Sequence, residues 1–274
     1  ILDDSLIEST ENFLVNLSNP SLGAINILDP QATVNISDND VIDISIDDAS
    51  ATEGDNMVFT ITASQAPLTD LVFDLTYADI TTIPADYSGP NQITLAANTT
   101  SVSFNVAALD DDWFENTQTF DLSLTLSSGS ANITDNTGRG TIIDTDQATV
   151  STGNYDVLED VGIVQLRVFL TNSGGRVGVE EAFTVDVTVN SSGISFPATD
   201  GSDYTSTTAT ISFPANSTAG TEFFIPLTIL DDAIAEPSER VIQRLSNVSV
   251  SGVGMAGPGG IVRIHDNDTA TVTL

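Results

Sequence analysis

Apolar residues occupy alternate positions over short stretches of this chain, and acidic loops interrupt them at regular intervals. Val102, Phe104, Val106 and Ala108 form one alternating run, and Phe120, Leu122, Leu124 and Leu126 form the next. A period of two on both sides predicts two strands, each with one buried face. Between them lies Asp110-Asp111-Asp112-Trp113-Phe114-Glu115, a carboxylate loop held between core strands. Across residues 41–146 the alternation predicts seven strands, near 41–46, 57–63, 71–77, 91–95, 101–108, 118–126 and 139–143. Turn signals separate them, among them Glu53-Gly54-Asp55, Ser88-Gly89-Pro90 and Ser128-Gly129. No segment carries a helical period.

The same arrangement recurs. Asp3, Asp4, Glu8 and Glu11 precede Phe13, Val15 and Leu17, and Asp231, Asp232, Glu236 and Glu239 precede Val241 and Leu245. The acidic starts Asp3, Asp110 and Asp231 are 107 and 121 residues apart. A second marker follows each one: Asp38-Asn39-Asp40, Asp144-Thr145-Asp146 and Asp266-Asn267-Asp268, spaced by 106 and 122 residues. Two markers with matching periods define a repeat close to the ~100 residues of an immunoglobulin-like sandwich. The expected fold is therefore all-β, with tandem seven-stranded immunoglobulin-like antiparallel sandwiches. Residues 1–40 read as the C-terminal part of one unit, 41–146 and 147–268 as complete units, and 269–274 as the first strand of another. The second complete unit is expected to place strands near 148–152, 162–170, 182–189, 207–213, 222–230, 239–246 and 260–265. It is lengthened by a Gly-rich insertion at Thr171–Glu181 and by the Gly252–Gly260 segment. Gln243 falls where the first unit has Leu122, and is expected to face outward or to be hydrogen-bonded locally. The simplest reading of the whole is an excerpt of a longer tandem array.

Charge sharpens this picture. The chain has 274 residues and a formal charge of −33, with 39 Asp and Glu against six Arg and no Lys. Polyanions such as nucleic acid are repelled. Disorder is disfavoured because 40% of residues are hydrophobic and regularly patterned. Cysteine is absent, which excludes disulfides and thiolate metal sites. No run of 18 apolar residues is present, so no membrane-spanning helix is expected.

In seven strands that alternate in direction, the first, third, fifth and seventh end on the same side. The exits of the first and last strands, the third-to-fourth loop and the fifth-to-sixth loop then converge. In the first complete unit they carry Glu53, Asp86, Asp110, Asp111, Glu115, Asp144 and Asp146. In the second they carry Glu159, Asp203, Asp231, Asp232, Glu236, Glu239, Asp266 and Asp268. The partial unit offers Asp3, Asp4, Glu8, Glu11, Asp38 and Asp40. Hard oxygen donors gathered from several loops suit calcium. Zinc would favour His or Cys, and the single histidine, His265, reads as a solvated strand-end residue. Acidic loops can be plain solvated surface, but repetition on converging loops argues against it. Paired carboxylates also serve glycoside hydrolysis, yet seven-fold clustering does not fit, and one histidine leaves no nucleophile–base pair. The chain is not expected to be an enzyme.

These residues resemble the Calx-beta repeat, first described in sodium/calcium exchangers. The family pattern runs from an opening Glu-Gly, through Asp-Tyr, to Asp-Asp-x-x-x-Glu-x-x-Glu-x-Phe and a closing Asp-x-Asp. Here the first unit has Glu53-Gly54, Asp86-Tyr87, Asp110-Asp111 with Glu115 and Phe120, and Asp144-Thr145-Asp146. The second has Glu159, Asp203-Tyr204, Asp231-Asp232 with Glu236 and Glu239, and Asp266-Asn267-Asp268. The resemblance covers essentially the whole chain. It implies Ca2+ as the cofactor, held by those carboxylates, with the backbone carbonyls of Trp113 and Ile234 joining them. Gln118 replaces the second glutamate of the first unit, Asp160 the glycine of the second, and Val241 its phenylalanine. The first of these departures puts one ligand in doubt.

The function expected on this basis is a calcium-rigidified segment of a large extracellular or cell-surface repeat protein, such as an adhesin, stalk or filament. Its partners would be neighbouring repeats, other copies in a filament, or a surface receptor. The alternatives are calcium-sensing regulatory domains of an exchanger-like transporter and accessory repeats of a secreted enzyme.

Overall fold

The computed structural model describes residues 1–4, 6–21, 23, 25–172 and 178–272. The chain divides into two compact units, one formed by Ile1–Asp110 and Thr117–Ile143, the other by Asp111–Asn116 and Asp144–Leu274.

The first unit begins with an antiparallel hairpin of β1 (Glu11–Asn16) and β2 (Gln31–Ile36). Its apolar residues Phe13, Leu14 and Val15 are all exposed. The sandwich follows as β3 (Asp43–Ile46), β4 (Ala49–Thr52), β5 (Asn56–Ala63), β6 (Leu71–Asp79), β7 (Tyr87–Ser88), β8 (Gln92–Leu95) and β9 (Ser101–Ala108). The chain then crosses to the second unit through β10 (Trp113–Phe114). It returns as β11 (Gln118–Ser128), β12 (Asn132–Asp135) and β13 (Thr137–Ile143). One sheet has the order β4-β13-β11-β6-β8 and the other β12-β3-β5-β9-β7. The alternating residues Phe59, Ile61, Phe73, Phe120 and Leu122 point inward and form the core.

The second unit repeats this plan. Its strands are β14 (Ala148–Thr152), β15 (Tyr155–Leu158), β16 (Ile163–Asn172), β17 (Gly178–Val179), β18 (Phe183–Asn190), β19 (Tyr204–Thr205) and β20 (Thr207–Phe213), followed by β21 (Ser217–Thr218), β22 (Glu222–Ile229), β23 (Glu239–Ser246), β24 (Val253–Met255) and β25 (Gly260–His265). The sheets run β19-β22-β16-β14-β24 and β15-β25-β23-β18-β20. A small third sheet, β10-β17-β21, brings Phe114 into this unit's hydrophobic core. Five residues of the expected Gly-rich insertion, 173–177, lie outside the described residues. Residues 269–272 carry no strand, and the rest of the expected terminal strand, residues 273–274, also lies outside them.

The first and last strands of each sandwich are not single strands. Strand β3 pairs with β5, then the chain switches sheets and β4 pairs in parallel with β13. Asp47 and Asp48 hold the switch, accepting the backbone N–H groups of Thr60 at 2.5 Å and Arg139 at 2.7 Å. In the second unit the switch is Gly153-Asn154, and Asn154 Oδ1 accepts the Ile261 N–H at 2.8 Å. Short polar side chains that bond backbone groups are well suited to such breaks.

Two substitutions between the units have clear packing outcomes. Phe120 lies opposite Gly140 in the first, whereas Val241 lies opposite Val262 in the second. The loss of the phenylalanine is thus matched by side-chain volume across the ladder. Gln243 does not face outward. It is fully buried, because it shares the inward phase of β23 with Val241. Its Nε2 lies 3.5 Å from the Arg167 carbonyl, a long bond, and its Oε1 has no hydrogen-bond partner.

Candidate metal centre

One end of the second sandwich gathers acidic side chains from four loops. Glu159 sits in a one-turn 3-10 helix, Glu159–Val161, and Gly162 after it takes φ 73°. In the first unit Gly54 itself supplies that left-handed residue, at φ 80°, directly after Glu53. This accounts for Asp160: the glycine that turns the chain has moved two positions along. The loop before β19 carries Asp203, whose Oδ2 accepts the Thr199 N–H at 2.5 Å. The Asp203 carbonyl accepts the Leu230 N–H at 2.9 Å, which ties this loop to the acidic loop after β22. Asp86 makes the same pair of bonds in the first unit, from Ile83 N–H at 2.6 Å and Leu109 N–H at 2.8 Å.

The acidic loops are held in one conformation by their own aspartates, and the pattern occurs three times. Asp4, Asp111 and Asp232 accept the N–H groups of Leu6, Trp113 and Ile234 at 2.8, 2.8 and 2.7 Å. Asp38, Asp144 and Asp266 each accept two backbone N–H groups. One comes from Asp40, Asp146 or Asp268, at 3.1, 2.8 and 2.7 Å. The other comes from Glu8, Glu115 or Glu236, at 2.9, 3.0 and 2.6 Å. The first aspartate of each closing Asp-x-Asp thus fastens the acidic loop to the exit of the last strand, as side-chain acceptors satisfy backbone donors in turns. Asn267 Nδ2 reaches Asp231 Oδ1 at 3.4 Å.

The outcome in the second unit is two clusters of carboxylates. Ligand oxygens of Glu159, Asp266 and Asp268 lie within 4.8 Å of one another, and so do those of Asp203, Glu236 and Glu239. Burial raises the Glu159 carboxyl above its usual range, and the charges of Asp266, Asp268 and Asp231 raise it further. Glu239 is pushed up to about 7, first by burial, then by its hydrogen bond to Asp203 and the charges of Asp203 and Glu236. Glu236 is raised by burial and by Asp203, Asp232 and Asp266. Two unit charges ~4 Å apart repel by roughly 4 kcal/mol at an effective dielectric of 20. Glu159 Oε1 and Asp268 Oδ2 are moreover buried without any hydrogen-bond partner. Buried carboxylate oxygens ordinarily have donors, so these two fit a bound cation. The donor set is oxygen throughout, which suits calcium.

Residues 1–40 show the same design in a shallower form. Asp3, Asp4, Glu8, Glu11, Asp38 and Asp40 all line one cleft of about 120 Å³. Glu8 is raised chiefly by Asp4 and Glu11, and Asp40 by burial and Asp38. Asp38 is lowered by the N–H bonds from Glu8 and Asp40.

Among the first unit's candidates, Glu53 and Asp86 are buried, and Gly54 packs against Asp110, since a Cβ on it would stand 3.7 Å from the Asp110 Cβ. Asp111, Glu115, Asp144 and Asp146 belong to the second compact unit, where Asp144 binds the N–H groups of Glu115 and Asp146. Gln118 sits where the second unit has Glu239. It is buried, and its Oε1 has no hydrogen-bond partner. An amide oxygen is itself a calcium ligand type, so this departure leaves a neutral donor rather than none. His265 is half-exposed, bonded to Ser238 Oγ at 2.9 Å and to Asp156 at 3.2 Å, and stands apart from both clusters.

A chain of all-β sandwiches with carboxylate loops gathered at one end belongs to the class of cation-binding β-sandwich repeats. It is a member of the Calx-beta domain family, whose model matches residues 1–40, 41–156 and 142–268. Among solved structures it resembles the apo form of the Calx CBD1 domain, with 25% identity, a TM-score of 0.37, and coverage of 45% of this chain and 100% of that one. The CBD12 structures of CALX1.2 and CALX1.1 are each 20% identical. The first covers 76% of this chain and 82% of its own at TM-score 0.36, and the second 73% and 79% at 0.35. The latter is described as a calcium binding domain. No curated protein sequence matches the chain significantly. Among the described residues, no helix is long and apolar enough to cross a membrane.

Proposed function

We propose that this chain binds calcium at the acidic end of each Calx-beta unit and serves as a calcium-stiffened structural segment of an extracellular repeat protein. The observation that carries the reading is the pair of buried, partnerless carboxylate oxygens on Glu159 and Asp268 within the acidic cluster. In the second unit Glu159, Asp266 and Asp268 would hold one ion, and Asp203, Glu236 and Glu239 a second. Bound calcium supplies the positive charge these carboxylates lack. Asp232 and Asp266 hold the loop in position through backbone N–H groups, so the remaining oxygens converge without reorganisation. In the partial unit Asp3, Asp4, Glu8, Glu11, Asp38 and Asp40 fill the same roles. Of the ligands expected between residues 41 and 146, Glu53, Asp86 and Asp110, with Gln118, stand on one compact unit and Asp111, Glu115, Asp144 and Asp146 on the other, and each set offers calcium oxygen donors.

The structural role is supported by the short connectors at Asp40–Val41 and Asp146–Ala148, which leave little linker freedom. The extracellular setting is supported by a lysine-free, strongly acidic composition. Calorimetric titration of the whole chain tests both the site and the setting. Extracellular calcium modules bind at ~10⁻⁴–10⁻³ M and cytosolic sensors at ~10⁻⁷–10⁻⁵ M. We expect the weaker range, with Asp232→Asn losing ions and Asp121→Asn losing none. Sub-micromolar affinity would favour the sensor of an exchanger-like transporter instead, and no heat of binding would remove the proposal. Small-angle scattering should show a larger maximum dimension in calcium than in chelator; equal dimensions would remove the stiffening.

A further inference from the structure

The two sandwiches differ in one row of side chains. Across β4, β13 and β11 of the first unit the row is Ser50, Thr141 and Thr119, small hydroxyl residues well suited to a sheet. At the same register across β15, β25 and β23 of the second unit it is Asp156, Arg263 and Arg240. Like charges directly opposite across a ladder destabilise it, and this chain has only six arginines. Asp156 Oδ1 stands 3.6 Å from Arg263 Nη1 and 3.2 Å from His265 Nε2. Arg240 has no ion-pair partner among the described residues. Its Cζ lies 5.7 Å from the ring centroid of Phe196. Phe196 is exposed and held at φ 57°, a conformation unusual for a bulky residue. It is pinned there by the Arg240 N–H donating to its carbonyl at 2.7 Å and the Ala198 N–H donating to the Arg240 carbonyl at 3.0 Å.

Arg240 and Arg263 line an open cleft of about 240 Å³ together with Asn154, Tyr155, Asp156 and Ile261. Asn154 uses its oxygen on the Ile261 N–H, which leaves its amide hydrogens as donors. The Tyr155 ring is fixed by the Arg167 N–H, which donates to its hydroxyl at 2.5 Å. The lining therefore offers two guanidiniums that match a carboxylate, a carboxylate and an amide that match hydroxyl groups, and an aromatic body for an apolar ring face. We propose that this cleft binds a carboxylated sugar residue, with its acid group on Arg240 and Arg263 and its hydroxyls on Asp156 and Asn154. The charge of −33 repels extended polyanions, so the ligand is a single acidic unit rather than a nucleic acid or a polyacid.

The test uses the whole chain in saturating calcium and follows NMR titrations with three probes: methyl glucuronide, its neutral counterpart methyl glucoside, and a glutamate-rich peptide. Methyl glucuronide should bind at least ten-fold more tightly than methyl glucoside. The double substitution Arg240→Thr with Arg263→Thr copies the Thr119–Thr141 pair with which the first unit folds. It should weaken glucuronide binding at least ten-fold while leaving the melting temperature equal or higher. Equal affinity for the two sugars, or unchanged affinity in the double variant, would overturn the site. Tighter binding of the peptide than of either sugar would overturn the sugar assignment.

Discussion

Replacing Gly140 tests the register of the first sandwich and its relation to the second. A Cβ at Gly140 would stand 2.2 Å from Phe120 Cζ and 2.4 Å from Cε1. Phe120 cannot easily retreat: it is fully buried, with the Tyr87 ring stacked at 4.2 Å between centroids and Tyr77 at 5.9 Å. Gly140→Val should therefore cost about 3 kcal/mol, the upper end of ordinary overpacking. Phe120→Val alone leaves a cavity among these rings and should cost ~2–3 kcal/mol, somewhat below a full truncation to Ala. The double variant places Val opposite Val, as Val241 and Val262 stand in β23 and β25. Its cost should fall short of the sum of the singles by at least ~1.5 kcal/mol, within the range measured for contacting pairs. The rescue is partial because Tyr77 and Tyr87 still surround the site. Urea unfolding at fixed calcium gives all four corners of the cycle. Strictly additive costs would mean that the two positions do not share one space and that the register equivalence between the units is wrong.

Gln243→Leu copies Leu122 and removes a buried oxygen without a partner; it should stabilise by ~1 kcal/mol, read as a rise in the melting transition, and a fall would mean the amide is satisfied in solution. The pH dependence should reverse with calcium. In chelator the folded Glu239 titrates near 7 against 4.5 when unfolded, so the folded state binds more protons between those values. Stability is then greatest at low pH and is lost as pH rises through 7. With calcium bound the ionised carboxylates are favoured and stability should instead rise over that window; parallel melting profiles with and without calcium would refute this reading of the site.

Much of the fold was legible in the chain because a period of two leaves no freedom of phase: Phe120, Leu122 and Leu124 all face inward, as their alternation requires. The same logic places Gln243 inward, and the expectation that it faced out or was hydrogen-bonded locally gave residue type more weight than phase. The sheet switches were not legible, since Asp47-Asp48 and Gly153-Asn154 each interrupt a strand by only two residues. The expectation that loops converge at one end followed from strand direction alone; in the second unit oxygens of Glu159, Asp266 and Asp268 lie near one another, and so do those of Asp203, Glu236 and Glu239. The division of labour among the carboxylates did not follow. Nothing in the Asp-x-Asp spacing distinguishes Asp266, which binds two N–H groups, from Asp268, whose Oδ2 has none. Phe114 was hidden among acids in a loop read only for its charge, yet it is buried in the second unit's core.

The central claim is that these acidic ends are calcium sites, and thermal unfolding of the whole chain tests it most directly. A ligand that binds only the folded state stabilises it by about 2.7 kcal/mol per site at a hundredfold excess over Kd. The melting temperature should rise clearly from chelator to millimolar calcium and little in equal magnesium, which prefers fewer protein ligands and retains its water. Superimposable melting curves in chelator and in calcium would contradict the account.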